Sequence, residues 1–144
     1  MDIKGQASAE YLLLALVFLI IVGTVTVPLI GKSIDSSLDV SDTSDVSASI
    51  NSITNAVGIV YANGPGAKRT INVYFPASGT LNYNTINKTL EMPVTLSNGT
   101  NKIIDSNVPI TLNLINSTVS KGNYNVTVTW PVGSGPMTVG LNPS

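Results

Sequence analysis

The sequence predicts an α+β fold in which a long N-terminal helix packs on a small antiparallel β-sheet or sandwich. Two observations support this class: residues 11–31 carry no charge, and from Thr70 onward apolar residues alternate with polar ones. Between these regions the apolar residues recur at spacings of three and four, as in an amphipathic helix. We therefore divide the chain into an apolar helix at 6–31, an amphipathic stalk helix at 32–63 and a β-rich head at 67–144.

The apolar helix is long enough to cross a membrane. Residues 11–22 are almost wholly aliphatic, and a helix needs about 20 apolar residues to span a bilayer. A cleaved secretory signal is disfavoured, because residues 24–32 offer no small-x-small cleavage site after the apolar run. A plain single-pass anchor remains an open alternative.

A proline lies inside this helix. Pro28 removes one helix hydrogen bond and clashes with the preceding turn, and Gly23 stands shortly before it. We expect a kink or local unwinding over residues 23–28. Two interpretations remain open: a proline that a membrane helix tolerates, or a joint that lets helices bend as they pack together.

The stalk helix carries an apolar stripe that we expect to cover one face of the head. Asp42 interrupts this stripe, and Gly64 followed by Pro65 predicts the end of the helix. The stripe consists of Ile30, Ile34, Leu38, Val46, Ile50, Ile53, Val57 and Val60.

The head is predicted to contain about five to seven half-buried antiparallel strands. The alternation is cleanest at Tyr124, Val126, Val128 and Trp130, where every second residue is polar. Similar patterns occur at 71–75, 90–96 and 108–114, weaker ones at 81–86 and 137–141, and turns at 76–79, 97–101 and 133–136.

The composition argues against an enzyme and against a nucleic-acid partner. Charged residues make up 10% of the chain and the net charge is −1, so no basic stripe matches a phosphate backbone. The absence of Cys and His removes thiol chemistry and the commonest general base and metal ligand. We predict no catalytic residue, metal site or cofactor, and we interpret Asp35, Asp39 and Asp42 as a solvated acidic helix face.

The residues just before the apolar helix carry a motif. Gln6-Ala-Ser-Ala-Glu10-Tyr11 resembles the Gln-x-Ser-x-Glu-Tyr signature of archaeal type IV pilins with a class III signal peptide. Gly5 matches the small residue at which the prepilin peptidase of that family cuts. The resemblance covers about the first 30 residues, the length of one bilayer-spanning helix with its flanks.

The resemblance implies a structural subunit of an extracellular filament with a pilin-like fold. A membrane peptidase would remove residues 1–5 as a leader and leave Gln6 as the new N-terminus. Glu10 would then pair with the N-terminal amine of a neighbouring subunit. An unpaired amine or carboxylate is costly in an apolar environment, so the pairing would set the axial register of the helices. Cyclisation of Gln6 would remove its amine charge and weaken this pairing.

The same resemblance implies the partners and the location. The chain would form a helical homopolymer with the help of an assembly ATPase and a platform membrane protein, and the filament would serve surface adhesion. Lys4 precedes the apolar helix, whereas aspartates predominate after Lys32. The positive-inside rule therefore places the N-terminus in the cytoplasm and the head outside the membrane.

Four Asn-x-Ser/Thr sequons occur in the head, at Asn87, Asn98, Asn116 and Asn125. We predict that all four are exposed and that at least one carries a glycan. A second functional hypothesis stays open: a single-pass membrane-anchored β-domain that acts as a cell-surface binding module and never polymerises.

Overall fold

The computed structural model describes residues 3–144, with side chains from Ser8 onward. One helix, α1, runs from Ile3 to Asn63 without a break. Nine strands follow it in the described chain: β1 Lys68–Phe75, β2 Gly79–Thr80, β3 Asn82–Asn84, β4 Thr89–Thr95, β5 Asn101–Asn107, β6 Leu112–Ile115, β7 Thr118–Val119, β8 Gly122–Thr129 and β9 Met137–Pro143. The predicted α+β class is confirmed.

The chain divides into two compact units at the bond between Leu38 and Asp39. The first unit is helical, and every residue from Ser8 to Leu38 is exposed. The second unit contains the rest of α1 and all nine described strands, and it holds the hydrophobic core.

The strands of the second unit form three sheets. The four-stranded sheet has the order β1-β8-β9-β6, the three-stranded sheet has the order β3-β4-β5, and β2 pairs with β7. All pairs are antiparallel except β6 with β9, which is parallel. The prediction of a purely antiparallel head was therefore wrong for one pair, and the described strands number nine rather than five to seven.

Alternation placed the core strands correctly. Tyr124, Val126 and Val128 of β8 point into the core, and their polar neighbours lie on the outer face, as the period of two requires. The same holds for Val73 and Phe75 of β1. Phe75 and Tyr124 meet edge to face with ring centroids 5.6 Å apart, a favoured aromatic geometry.

The C-terminal half of α1 lies against the edge strands β1 and β5. The Ser49 hydroxyl donates to the carbonyl of Tyr74 in β1, and Thr54 and Ser106 of β5 share a hydrogen bond of 3.1 Å. The first contact gives a partner to a backbone carbonyl on a sheet edge, and the second joins side chains of the helix and the other edge strand.

The apolar stripe of α1 is buried over only part of its predicted length. Its members from Val46 to Val60 are at most 1% exposed, whereas Ile30, Ile34 and Leu38 are 54–56% exposed. The prediction that the whole stripe covers the head was therefore wrong. Ile30, Ile34 and Leu38 belong to the first compact unit, which contains none of the described strands.

Glycine ends the helix where the sequence predicts. Gly64 has φ of 88°, a left-handed conformation that favours glycine, and its N–H donates to the carbonyl of Val60 at 3.1 Å. Gly66 then donates to the carbonyl of Trp130 at 2.8 Å. The Trp130 ring stacks on Tyr61 of the last helical turn, with centroids 5.5 Å apart. This end of α1 is thus joined to the loop between β8 and β9.

Hydrogen bonds to a tyrosine hydroxyl hold the start of β8. The backbone N–H of Ser120 donates to the phenol oxygen of Tyr124 at 2.8 Å, and the Ser120 hydroxyl lies 3.1 Å from the same oxygen. These hydrogen bonds lower the pKa of Tyr124, because they stabilise the phenolate. A tyrosine that bonds back to the chain just upstream of its strand is also a feature of immunoglobulin-type sandwiches.

Replacing Ile53 by Ala should destabilise the head by about 2–5 kcal/mol, because the side chain is fully buried against the core. Trp130 is the sole tryptophan, so its fluorescence in detergent reports thermal unfolding of the head. Ile59 lies on the same helical segment but is 41% exposed, and Ile59→Ala is the matched control, with an expected change within about 0.5 kcal/mol. Equal losses in the two variants would contradict this packing of α1.

Candidate functional site

The candidate functional surface is the exposed apolar part of α1. Its large apolar side chains between Tyr11 and Ile30 are 41–76% exposed. The helix is long and apolar enough to cross a membrane, with a mean hydropathy of 2.8 over its most apolar stretch. Apolar surface of this extent is a place for lipid or for another protein, because single soluble chains rarely expose so much.

Glu10 lies at the N-terminal end of this surface. Its side chain is exposed and borders a shallow depression of about 450 Å³ that Ala9, Leu13 and Leu14 complete. Leu13 and Leu14 stand three and four residues further along α1, so they flank the carboxylate on the same helix face. No described side chain, from Ser8 onward, forms a hydrogen bond or ion pair with this carboxylate. Its partner must come from outside that part of the chain, or from solvent.

The other predicted residues of the motif are described only in part. Gly5 and Gln6 belong to α1 by their backbone, but the Gln6 side chain lies outside the described residues, as do Met1 and Asp2. Cleavage after Gly5 and the pairing of Glu10 with the Gln6 amine of another subunit stay predictions.

The helix stays intact around Pro28. All residues between Gly23 and Pro28 belong to α1, so the local unwinding is absent. The alternative that we expected, a kink, stays a prediction. Pro28 has no N–H to donate to the carbonyl of Thr24. The Thr24 hydroxyl donates to the carbonyls of Ile20 at 2.9 Å and Ile21 at 3.0 Å. Such back-bonding often bends helices, so a bend at this turn stays a prediction.

The four sequon asparagines are all exposed, but their settings differ. Asn98 lies in the turn between β4 and β5, where its side-chain oxygen accepts from the backbone N–H and the hydroxyl of Thr100. Asn87 and Asn116 lie in loops, and Asn116 has φ of 56°. Asn125 lies in the middle of β8, between β1 and β9.

The outer face of the four-stranded sheet is polar and nearly uncharged. Asn72 donates to the side-chain oxygen of Asn125 at 3.3 Å, and the hydroxyls of Thr70 and Thr127 lie 3.0 Å apart. Such cross-strand pairs stabilise a sheet and hold its side chains in place. The face comprises Thr70, Asn72, Tyr74, Asn113, Asn123, Asn125, Thr127, Thr129, Thr138 and Asn142, with Ile115 as an exposed apolar residue and Lys68 at one end.

One predicted solvent-facing acid has a specific structural role. The Asp39 carboxylate accepts hydrogen bonds from the backbone N–H of Ser97 at 2.8 Å and from its hydroxyl at 2.7 Å. It therefore fastens the β4–β5 turn to α1, which sequence reasoning missed because the two residues are 58 positions apart. No group of three or more acidic side chains that could hold a metal occurs among the described residues.

Comparison of the chain with protein-family models, with curated proteins and with solved structures finds no match.

We predict that Asn98 carries a glycan in the native host and that Asn125 does not, because glycans are attached to sequons in surface loops. Mass spectrometry of peptides from the mature protein would show the occupancy at each Asn. The variant Asn98→Gln should lower the mass by one glycan, and Asn113→Gln, at an exposed Asn outside any sequon, is the control. Unmodified peptides at all four sequons would contradict glycosylation altogether.

Proposed function

We propose that this chain is a structural subunit of an archaeal type IV pilus-like extracellular filament, processed after Gly5 and assembled through its N-terminal helix. The observation that carries the proposal is the motif from Gln6 to Tyr11 near the start of an unbroken helix, whose following residues expose an apolar surface. A separately folded head with its own core completes the pattern of a subunit made for display.

The length of the exposed apolar surface favours polymerisation over a simple tether. Lys32 and Asp35 mark the end of the part that suits lipid. Ile34 and Leu38 continue the stripe beyond Lys32 and are more than half exposed. From Tyr11 to Leu38 the helix rises about 40 Å, against about 30 Å for the hydrocarbon core of a bilayer. Lipid alone does not cover the excess, whereas neighbouring helices in a filament would.

Assembly moves the helix from lipid into a bundle of identical helices. Burial of apolar surface changes little in that transfer, so the driving force comes from helix packing, charge pairing and an external motor. Glu10 is the charge that this surface offers. A carboxylate without a partner costs roughly 2.5–3.5 kcal/mol at the centre of a membrane, so pairing with a neighbour's N-terminal amine would favour one register over others.

The surface of the head fits a filament displayed outside the cell. Residues 64–144 contain only seven charged side chains, Lys68, Arg69, Lys88, Glu91, Lys102, Asp105 and Lys121. Amide and hydroxyl groups take their place on the outer sheet face. We assign the prepilin peptidase, the assembly ATPase and the platform protein as partners, and surface adhesion as the task.

Replacing Glu10 by Ala should leave leader removal intact and abolish or sharply reduce surface filaments, because the register-setting charge is lost. Electron microscopy of material sheared from cells gives the readout, and the mass of the mature subunit reports processing. The control is Glu91→Ala, which removes an acid from the head. Normal filaments from a processed Glu10→Ala subunit would contradict the assembly role.

Replacing Gly5 by Leu should block cleavage, because the peptidase requires a small residue there. The N-terminal mass of the membrane-bound protein should then include residues 1–5, and filaments should be absent. If the parent chain itself keeps its leader and occurs only as single molecules in membranes, the proposal fails and the anchored binding module takes its place.

A further inference from the structure

The charges of this chain are separated along its length. Between residues 33 and 63 the helix carries four acids, Asp35, Asp39, Asp42 and Asp45, and no base. Residues 64–144 carry five bases, Lys68, Arg69, Lys88, Lys102 and Lys121, against the two acids Glu91 and Asp105. Four of these side chains have no hydrogen-bond or ion-pair partner in the described part of the chain: those of Asp42, Asp45, Lys68 and Arg69.

The helix acids and the bases Lys68 and Arg69 lie at opposite ends of the head unit. Asp42 and Asp45 belong to the first turns of α1 within that unit, and about 30 Å of helix separates Asp42 from Asn63. Lys68 and Arg69 open β1 just after the helix ends, and both are exposed. We refer to the end at Asn63 as the distal end and to the end at Asp42 as the proximal end.

The distal end carries an apolar projection. Val132 is 90% exposed on the loop between β8 and β9, within the uncharged segment 131–136. Two hydrogen bonds hold the base of this loop, from Gly66 to the carbonyl of Trp130 and from Trp130 to the carbonyl of Ala67. Lys88 precedes β4 at this same end, because β4 runs from there towards the Asp39–Ser97 contact.

The proximal end carries a groove with a volume of about 420 Å³ between α1 and the β4–β5 hairpin. Val40, which is 70% exposed, forms its apolar part together with Leu96 and Ile104. The rest of its lining is polar and consists of Asp39, Thr43, Ser44, Ser47 and Lys102. The two hydrogen bonds from Ser97 to Asp39 fix its rim. Two bases, Lys102 in β5 and Lys121 just before β8, also lie at this end, so the acidic residues there are those of the helix.

We propose that consecutive copies of this chain contact one another head to tail, with the Val132 loop of one copy in the Val40 groove of the next. In this contact Lys68 and Arg69 face Asp42 and Asp45. The inference rests on the proposed filament and adds to it which two surfaces of the heads meet.

Charge selects this arrangement over a symmetric one. Two distal ends would bring Lys68 and Arg69 of both copies together, and these like charges would repel. A distal end on a proximal helix face pairs these two bases with Asp42 and Asp45 and places the Val132 side chain against the apolar side chains of the groove. Such a contact joins different patches on the two partners and does not close on itself, which is the geometry of a helical filament.

Cysteine cross-linking tests the contact directly, because the chain has no native cysteine. Filaments assembled from the Val40→Cys/Val132→Cys variant should give a ladder of multimers on mild oxidation and non-reducing electrophoresis, since each copy carries both halves of the contact. The control Asn113→Cys/Val132→Cys pairs the same loop with an exposed position on the outer sheet face. It should give no ladder, and neither should either single variant.

Charge reversal supplies the second measurement. Lys68→Glu/Arg69→Glu in the cross-linking background should lose the ladder, and adding Asp42→Lys/Asp45→Lys should restore it. If both cysteine substitutions prevent assembly, the same reversals without cysteine decide, with loss and recovery of filaments as the readout.

The outcomes separate the contact from the proposed function. Normal filaments without a ladder above that of the control, or filaments indifferent to both reversals, overturn the head-to-tail contact and leave the filament proposal intact. Absence of filaments from the parent chain overturns both.

Discussion

The structure depends on one constraint: the first half of α1 exposes an apolar surface that the described chain does not cover. Lipid can cover the part up to about Lys32, and the exposed stripe continues beyond it to Leu38. The second half of the same helix has its apolar face filled by the core of the head. One helix thus combines a segment whose apolar face is uncovered with a segment whose apolar face is buried in the head. Glu10 places a charge where the uncovered segment begins.

Much of the fold followed from periodicity, and the failures have definite physical causes. Alternation located β1, β4, β8 and β9 because each has one buried and one exposed face. It missed β5, where Ile103 and Ile104 are adjacent and only Ile104 is buried. The parallel pairing of β6 with β9 was beyond a local pattern, since pairing depends on where distant segments meet. The buried stripe of the stalk helix was predicted to begin too early in the chain, because helical spacing does not show which part of the helix the strands cover.

The candidate site was predictable to a different degree at each residue. Glu10 and Gly5 came from a motif with a resemblance to a known signal peptide, and the structure leaves their roles as predictions. Pro28 was recognised, but neighbouring turns keep the helix hydrogen-bonded around it. The Asp39 contact with Ser97 had no sequence signal, because a carboxylate on an acidic helix face looks solvated until a loop from the sheet reaches it. Nothing in the sequence singles out Val40 and Val132, because only the fold places them at opposite ends of one unit.

The neutral outer face of the four-stranded sheet has a colloidal consequence. In the proposed filament, fibres coated with amide and hydroxyl groups would have little electrostatic repulsion between their flanks, so ionic strength would have little influence on how closely they approach. Hydration and attached sugar would then determine their spacing. Lateral bundling would respond to crowding and dehydration, and it would be much the same at high and at low salt concentration.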